Sequence, residues 1–309
     1  LIKGPAYGSV SRHPATAGAG TSEAGRVQEG DWGQYRGDYR HRGSSSASVG
    51  KDLTVKWTEA PEKPYESTDV YNRLSFEFYE RPVSPVAVGE YLYTAGSDGV
   101  VRAKYLETGE TAWTFHTDGP VFTSPAYSNG QLIIPCCDGW VYAVEASSGK
   151  LVWRRRLAPM DRKILMFDQL MSTWPVLSLA VKDGTVYAAA GHLRTDGGWA
   201  FALKGDTGEI IWSYYTEPAV NSFAGTHNPP DRAVQGYGGN TTLVGDRVWF
   251  SGYFSPPLAL DAETGENSLT EICRNLVSSF SAWYHGKRIF HTRGLDMSVL
   301  GDRAVLLGG

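Results

Sequence analysis

The chain has 309 residues, a formal net charge of −4, 36 glycines, ten tryptophans and seventeen tyrosines. That charge leaves no basic footprint for nucleic acid, and no apolar run is long enough to cross a bilayer as a helix. Three cysteines are too few for a disulfide scaffold, and there is no CxxC or CxxCH among them.

Residues 1–30 are rich in Gly, Ala, Ser and Thr without an apolar period, and read as linker. The first ten, LIKGPAYGSV, lack a charged stretch followed by an apolar core, so no signal peptide is read there. Residues 31–82 read as an opening segment with a closing strand and a long loop. Within it DWGQYRGDYRHRG (31–43) is too short for a domain and too aromatic for a linker, and is expected to pack on the domain edge. Leu53, Val55 and Trp57 alternate, which predicts a half-buried strand. The polar, Pro-containing and then aromatic stretch 58–81 reads as a long loop.

From Ser84 a pattern is written twice. SPVAVGEYLYTAGSDGVVRAKYLETGETAW is followed by SPAYSNGQLIIPCCDGWVYAVEASSGKLVW, and Ser-Pro, Asp-Gly, the turn glycine (Gly109, Gly149) and the tryptophan (Trp113, Trp153) all recur at an offset of 40 residues. Each copy resolves into four short strands, A to D, separated by glycine turns that need positive φ. A third copy carries Gly208 and Trp212. A fourth carries Gly265, with Leu269 where the tryptophan would stand. Two further hairpins, 282–290 and 298–308, follow.

Four antiparallel strands per repeat of about 40 residues predict an all-β fold, a β-propeller of four-stranded antiparallel blades. About seven or eight blades are expected in the full protein, with about five or six represented here. The predicted blades are 83–116, 121–156, 174–216, 240–270, a degenerate 278–297 and an incomplete 298–309. Trp57, Trp113, Trp153 and Trp212 are expected to wedge against the next blade, together with turn glycines Gly109, Gly149, Gly208 and Gly265.

These repeats resemble the quinoprotein-type (PQQ-like) propeller family, whose consensus ends in T-G-x-x-x-W. ETGETAW, SSGKLVW and DTGEIIW match it, and ETGENSL departs at its last residue. DWGQYRGDYRHRG resembles the segment opening large bacterial members, including relatives of the outer-membrane assembly protein BamB. DGWVYAVEASSGKLVWRRRLAP with MSTWPV resembles a subgroup of long propellers. The resemblance implies a propeller over roughly 31–309 and an extracytoplasmic, periplasmic setting. It implies either a non-catalytic, BamB-like role with a protein partner and no cofactor, or a dehydrogenase using PQQ with Ca²⁺.

Strand direction places A–B and C–D turns at one end, and B–C and D–A connections at the other. The long insertions, 157–174, 191–198, 214–240 and 252–257, all fall on the B–C/D–A face, which is read as the binding face. Its candidate residues are Asp161, Arg162, Asp168, His192, Arg194, Asp196, Trp199, His227, Asp231 and Arg232, a set suited to a protein partner, a polar small ligand or a glycan. No spacing makes any of them a catalytic pair or a metal site. Adjacent Cys136 and Cys137 resemble the vicinal pair of some quinone-dependent alcohol dehydrogenases, but as two small residues they also fill a tight B–C turn. His227 stands without a second ligand at metal spacing, as do His285 and His291. Arg154–Arg156 read as a solvated edge that discourages pairing. Asp98-Gly99 and Asp138-Gly139 read as turns, not Ca²⁺ loops.

Overall fold

The computed structural model describes residues 10–12, 27–46, 48–59, 83–166, 169–191, 196–216, 237–252, 258–267, 283–284, 287–288, 296–300 and 303–307. Strands are the only regular elements among them. After β1 (Val10–Arg12), the first blade is β2 (Val86–Val88), β3 (Tyr91–Thr94), β4 (Val100–Tyr105) and β5 (Thr111–His116). The second is β6 (Ala126–Ser128), β7 (Gln131–Pro135), β8 (Trp140–Glu145) and β9 (Leu151–Arg156). A hairpin, β10 (Lys163–Met166) and β11 (Gln169–Ser172), precedes the third blade of β12 (Val176–Lys182), β13 (Thr185–Ala190), β14 (Gly198–Lys204) and β15 (Ile210–Thr216). The fourth sheet holds β16 (Tyr237–Val244), β17 (Arg247–Gly252) and β18 (Leu258–Asp261). Two hairpins follow, β19 (Trp283–Tyr284) with β20 (Lys287–Arg288), and β21 (Asp296–Leu300) with β22 (Arg303–Leu307). Within each blade the strands pair antiparallel in sequence order. The fold is an all-β propeller.

Period-two alternation sends neighbouring residues of one strand into different interfaces. Leu132 and Ile134 pack toward the first blade, whereas Ile133 between them packs toward the third. Likewise Leu179 and Val181 face the second blade, and Ala180 the fourth. The core is therefore a series of layers between blades, and strands buried on both faces read as nearly continuous apolar runs.

Each complete blade carries a register shift in its C–D pair, between Ala103 and Lys104, Ala143 and Val144, and Ala202 and Leu203. The extra residue is the one preceding the tryptophan: Ala112, Val152 or Ile211. Such a bulge re-aims the next side chain, and here the tryptophan leaves its own blade for the C–D turn of the following one. A Cβ built on Gly149, at φ 69°, would lie 2.6 Å from the Trp113 ring. Trp57 on Gly109, Trp153 on Gly208 and Trp212 on Gly265 repeat this approach. In every case the indole N–H donates to the carbonyl three residues before the glycine. The acceptors are Leu106, Ala146 and Gly205 at 2.9 Å and Ala262 at 3.0 Å. The position of Leu269 lies outside the described residues.

Three local expectations are corrected. The stretch read as linker contains β1, which pairs antiparallel with β5 and extends the first blade to five strands. Leu53–Trp57 is not a strand: only Trp57 finds a dock, and Leu53 and Val55 stay exposed because no described strand accepts their backbone. Residues 31–43 pack centrally, not on the domain edge. Trp32 exchanges two backbone bonds with Ala87 on β2, and Gly33 O accepts Tyr127 N on β6. The Gln34 amide bonds both Val181 N and Val181 O on β12, and Tyr39 O accepts Leu243 N on β16. The innermost strand of a blade has one edge without a ladder partner, and buried backbone groups need partners. This segment supplies them to four blades in succession, at the end bearing the A–B turns, where Asp31 also accepts Gly89 N.

Candidate functional site

The opposite end carries the B–C and D–A connections. Cys137 N donates to Pro120 O, Ser172 N to Cys137 O, and the Trp174 indole to Asp196 O at 3.0 Å. Residues 117–125, 136–139, 157–166, 169–175, 191 and 196–197 are thereby bonded into one surface.

Its polar part is built from paired charges. Arg162 forms an ion pair with Asp196, stacks 4.8 Å over the Trp174 ring and donates through Nε to Thr173 Oγ1. Lys163 lies 3.0 Å from Asp118. Trp199 packs against Tyr215 with centroids 4.6 Å apart. Of the predicted face residues, the structure thus brings Arg162 and Asp196 together, leaves Asp161 exposed, and places Trp199 half-buried on β14. Asp168, His192, Arg194, His227, Asp231 and Arg232 lie outside the described residues. Sequence reasoning missed Asp118, Thr173 and Trp174. The signal for the last was present, since a tryptophan before a proline at the end of a long insertion marks the return to the blade.

The apolar part is the β10–β11 hairpin. Ile164 pairs with Met171 and Leu165 with Leu170. Ile164 and Met171 pack inward on Cys137, Leu177 and Phe122, which fixes the hairpin. The next pair points the other way. Leu165 is 73% exposed and its cross-strand partner Leu170 40%.

Beneath this surface Cys136 and Cys137 are both fully buried and free. Cys136 Sγ donates to Gly119 O at 3.3 Å, and burial pushes both thiols well above the ordinary thiol range. Asp138 accepts Trp140 N at 2.9 Å and the Tyr142 hydroxyl, and burial raises its carboxyl above the usual value despite these bonds. In the first blade Asp98 makes the same bond, to Val100 N, so the Asp-Gly pairs are capped turns. Among the described residues no three His, Cys, Asp or Glu side chains are grouped to hold a metal ion. No described helix is long and apolar enough to cross a membrane.

Residues 54–272 match the family model described as outer membrane protein assembly factor BamB. The chain belongs to this family. Its PQQ-like propeller relatives include both BamB proteins and quinone dehydrogenases. BamB of Burkholderia pseudomallei (strain K96243) is 26% identical over 172 residues, covering 42% of this chain and 41% of that protein. The quinohemoprotein alcohol dehydrogenase of Comamonas testosteroni is 23% identical over 206 residues, covering 61% and 26%. The crystal structure of the Comamonas testosteroni enzyme superposes with a TM-score of 0.54 at 19% identity, covering 76% of this chain and 40% of that one. A europium-containing methanol dehydrogenase does so at 0.52 and 14%, covering 77% and 48%. These likenesses show the fold. The chain spans about a fifth of the length of the first quinone dehydrogenase subunits it matches.

Proposed function

We propose that this BamB-family propeller is a protein-binding module, in an extracytoplasmic compartment, whose contact surface is the B–C/D–A face. The observation carrying this reading is the β10–β11 hairpin, anchored by Ile164 and Met171 while the opposed Leu165 and Leu170 face solvent. A fixed apolar pair beside self-neutralised charges has the anatomy of an interface, an apolar centre within a polar rim. The paired Arg162–Asp196 and Lys163–Asp118 make the described rim polar.

Similarity to quinone dehydrogenases raises a second reading, an enzyme using PQQ with Ca²⁺. The vicinal cysteines, the one feature here that resembles a part of those enzymes, do not support it as they stand. Cys136 and Cys137 have no exposed surface, Cys136 being turned onto the Gly119 carbonyl and Cys137 packed among Met171, Leu177 and Phe122. The pair leaves no surface of its own for a planar ring.

A photo-crosslinking residue at position 165 or 170, in cells making the full protein, is expected to trap a discrete heavier adduct. The same residue at Glu107, on a C–D turn of the opposite end, should trap none. Adducts of equal yield at both ends, or none at 165 and 170, would sink the reading. Titration of the purified protein with PQQ and Ca²⁺ tests the alternative, with saturable binding and dye reduction as its mark.

A further inference from the structure

One cross-strand pair, near the start of the third strand, changes from blade to blade. By register it is Val100 with His116 in the first blade, Trp140 with Arg156 in the second, and Trp199 with Tyr215 in the third. The docking tryptophans and turn glycines recur because the architecture needs them. A pair that varies this much answers to no such need. In the second blade Arg154 and Arg156 lie over the Trp140 ring, at 4.8 and 6.0 Å, so the chain's own guanidinium groups cover it. In the third, a second aromatic ring stands in the place of Arg156.

Trp199 and Tyr215 form a shelf, with ring centroids 4.6 Å apart and planes inclined by 38°. Trp199 is backed by Phe201, stacked at 6.3 Å and itself buried in the layer between the second and third blades. Tyr215 is seated on Gly197, where a Cβ would lie 3.2 Å from both its ring and its hydroxyl. The shelf is thus held from below, yet Tyr215 is 44% exposed and Trp199 only half-buried. Trp57, Trp113, Trp153, Trp174 and Trp212 each donate the indole N–H to a backbone carbonyl. Among the described residues, neither the Trp199 N–H nor the Tyr215 hydroxyl makes a hydrogen bond. Beside the shelf, Asp196 precedes Gly197 and is ion-paired with Arg162. This sets a planar donor next to a planar acceptor. Because their charges offset each other, they suit a neutral ligand that offers an acceptor and a donor side by side, as neighbouring sugar hydroxyls do.

We infer that Trp199, Tyr215 and the Arg162–Asp196 pair form a carbohydrate site, which binds a neutral pyranose unit of glucose configuration. With its substituents equatorial, such a sugar presents a flat face of weakly positive C–H groups, and an aromatic ring presents a negative face to meet it. Stacking holds the unit, while the guanidinium, the carboxylate and the polar tips of the two rings fix its orientation. That division between apolar walls and a few placed polar groups is general in small-molecule sites. The site uses neither Leu165 nor Leu170, so it stands apart from the protein-contact reading.

The test uses the whole chain and cellotriose, followed by saturation-transfer NMR and by titration of the same signals. Saturable binding is expected, with transfer strongest to the axial C–H protons of one sugar face. Sorbitol, which carries hydroxyls but no ring, should not compete. Tyr215→Arg writes into the third blade the residue that the second has at this place, and should weaken binding about tenfold. Asp196→Ala removes the carboxylate but keeps the backbone carbonyl that Trp174 bonds, and should weaken binding about fivefold. Both variants should leave thermal unfolding unchanged. Absence of saturable binding, competition by sorbitol, or an affinity indifferent to either substitution would overturn the proposal. So would a photo-crosslink from position 215 that traps the adduct formed from 165, which would place these rings in the protein contact.

Discussion

Trp153 touches the following blade in two ways: its ring covers Gly208, and its N–H reaches the Gly205 carbonyl. Trp153→Ala removes both, and should cost about 3–5 kcal/mol in denaturant unfolding, as for other buried aromatic truncations. The glycine side of such a dock can be separated from backbone strain. Gly149 and Gly130 both have positive φ, 69° and 81°, but a Cβ at Gly149 meets the Trp113 ring, and one at Gly130 meets nothing within 4 Å. Gly130→Ala should therefore cost only the left-handed penalty of about 1–2 kcal/mol. Gly149→Ala should cost about 1–3 kcal/mol more, from overpacking. Asp138 makes a pH prediction. Burial raises its carboxyl in the folded state, so the native protein holds that proton more tightly than the unfolded chain does. The resulting stabilisation is complete below the unfolded value of about 3.9 and is lost as pH rises through the folded value. Relative to Asp138→Asn, wild-type stability should fall as pH is raised from about 4, as measured by chemical denaturation at a series of pH values. An unchanged difference across that range would show that Asp138 ionises as it does in the unfolded chain.

At the scale of elements, the blades were legible because their signals are local and repeated. A glycine turn, a tryptophan four residues later and alternating apolar residues lie within one copy, and the second copy supplies the register of the first. Segment 31–43 was not legible for the opposite reason. Its partners are 147 residues away for Gln34 and 201 for His41, which bonds Thr242 Oγ1 at 2.9 Å. A stretch that satisfies strand edges one residue at a time has no period to detect. DLTVKW misled because alternation records what a strand could bury, and a strand also needs a neighbour to accept its backbone. The β10–β11 hairpin was read only as an insertion, since KILM has three consecutive apolar residues and no alternation to mark an inside. Its two faces differ: Ile164 and Met171 pack inward, and Leu165 and Leu170 are exposed. On the candidate face, Arg162 and Asp196 were named from sequence, but their pairing across 34 residues was not predictable from spacing. The anchoring role of segment 31–43 is testable at Gln34. Gln34→Ala leaves both Val181 backbone groups without this partner in a buried site, and should cost about 1–3 kcal/mol for each. Slowed amide exchange at Val181 should disappear in the variant.

At the scale of the whole molecule, layers between neighbouring blades imply that stability is coupled mainly to the nearest neighbour, as in other repeat architectures. Trp113 belongs to the layer between the first and second blades, and Trp212 to that between the third and fourth. They share no acceptor: Trp113 bonds the Ala146 carbonyl, and Trp212 that of Ala262. Their alanine substitutions should add within about 0.5 kcal/mol in the double mutant. Tyr93 and Trp113 provide the contrast within one layer. The Tyr93 hydroxyl donates to the same Ala146 carbonyl at 3.2 Å, and the two rings are 6.0 Å apart. When Trp113 is truncated, Tyr93 remains to satisfy that acceptor, and when both are changed nothing described does. The pair Tyr93→Phe with Trp113→Ala should therefore show a coupling energy above about 0.5 kcal/mol. Urea unfolding of the two cycles compares them directly. Strong coupling between Trp113 and Trp212 would mean that the blades communicate beyond their neighbours, and would contradict a core built of separate layers between adjacent blades.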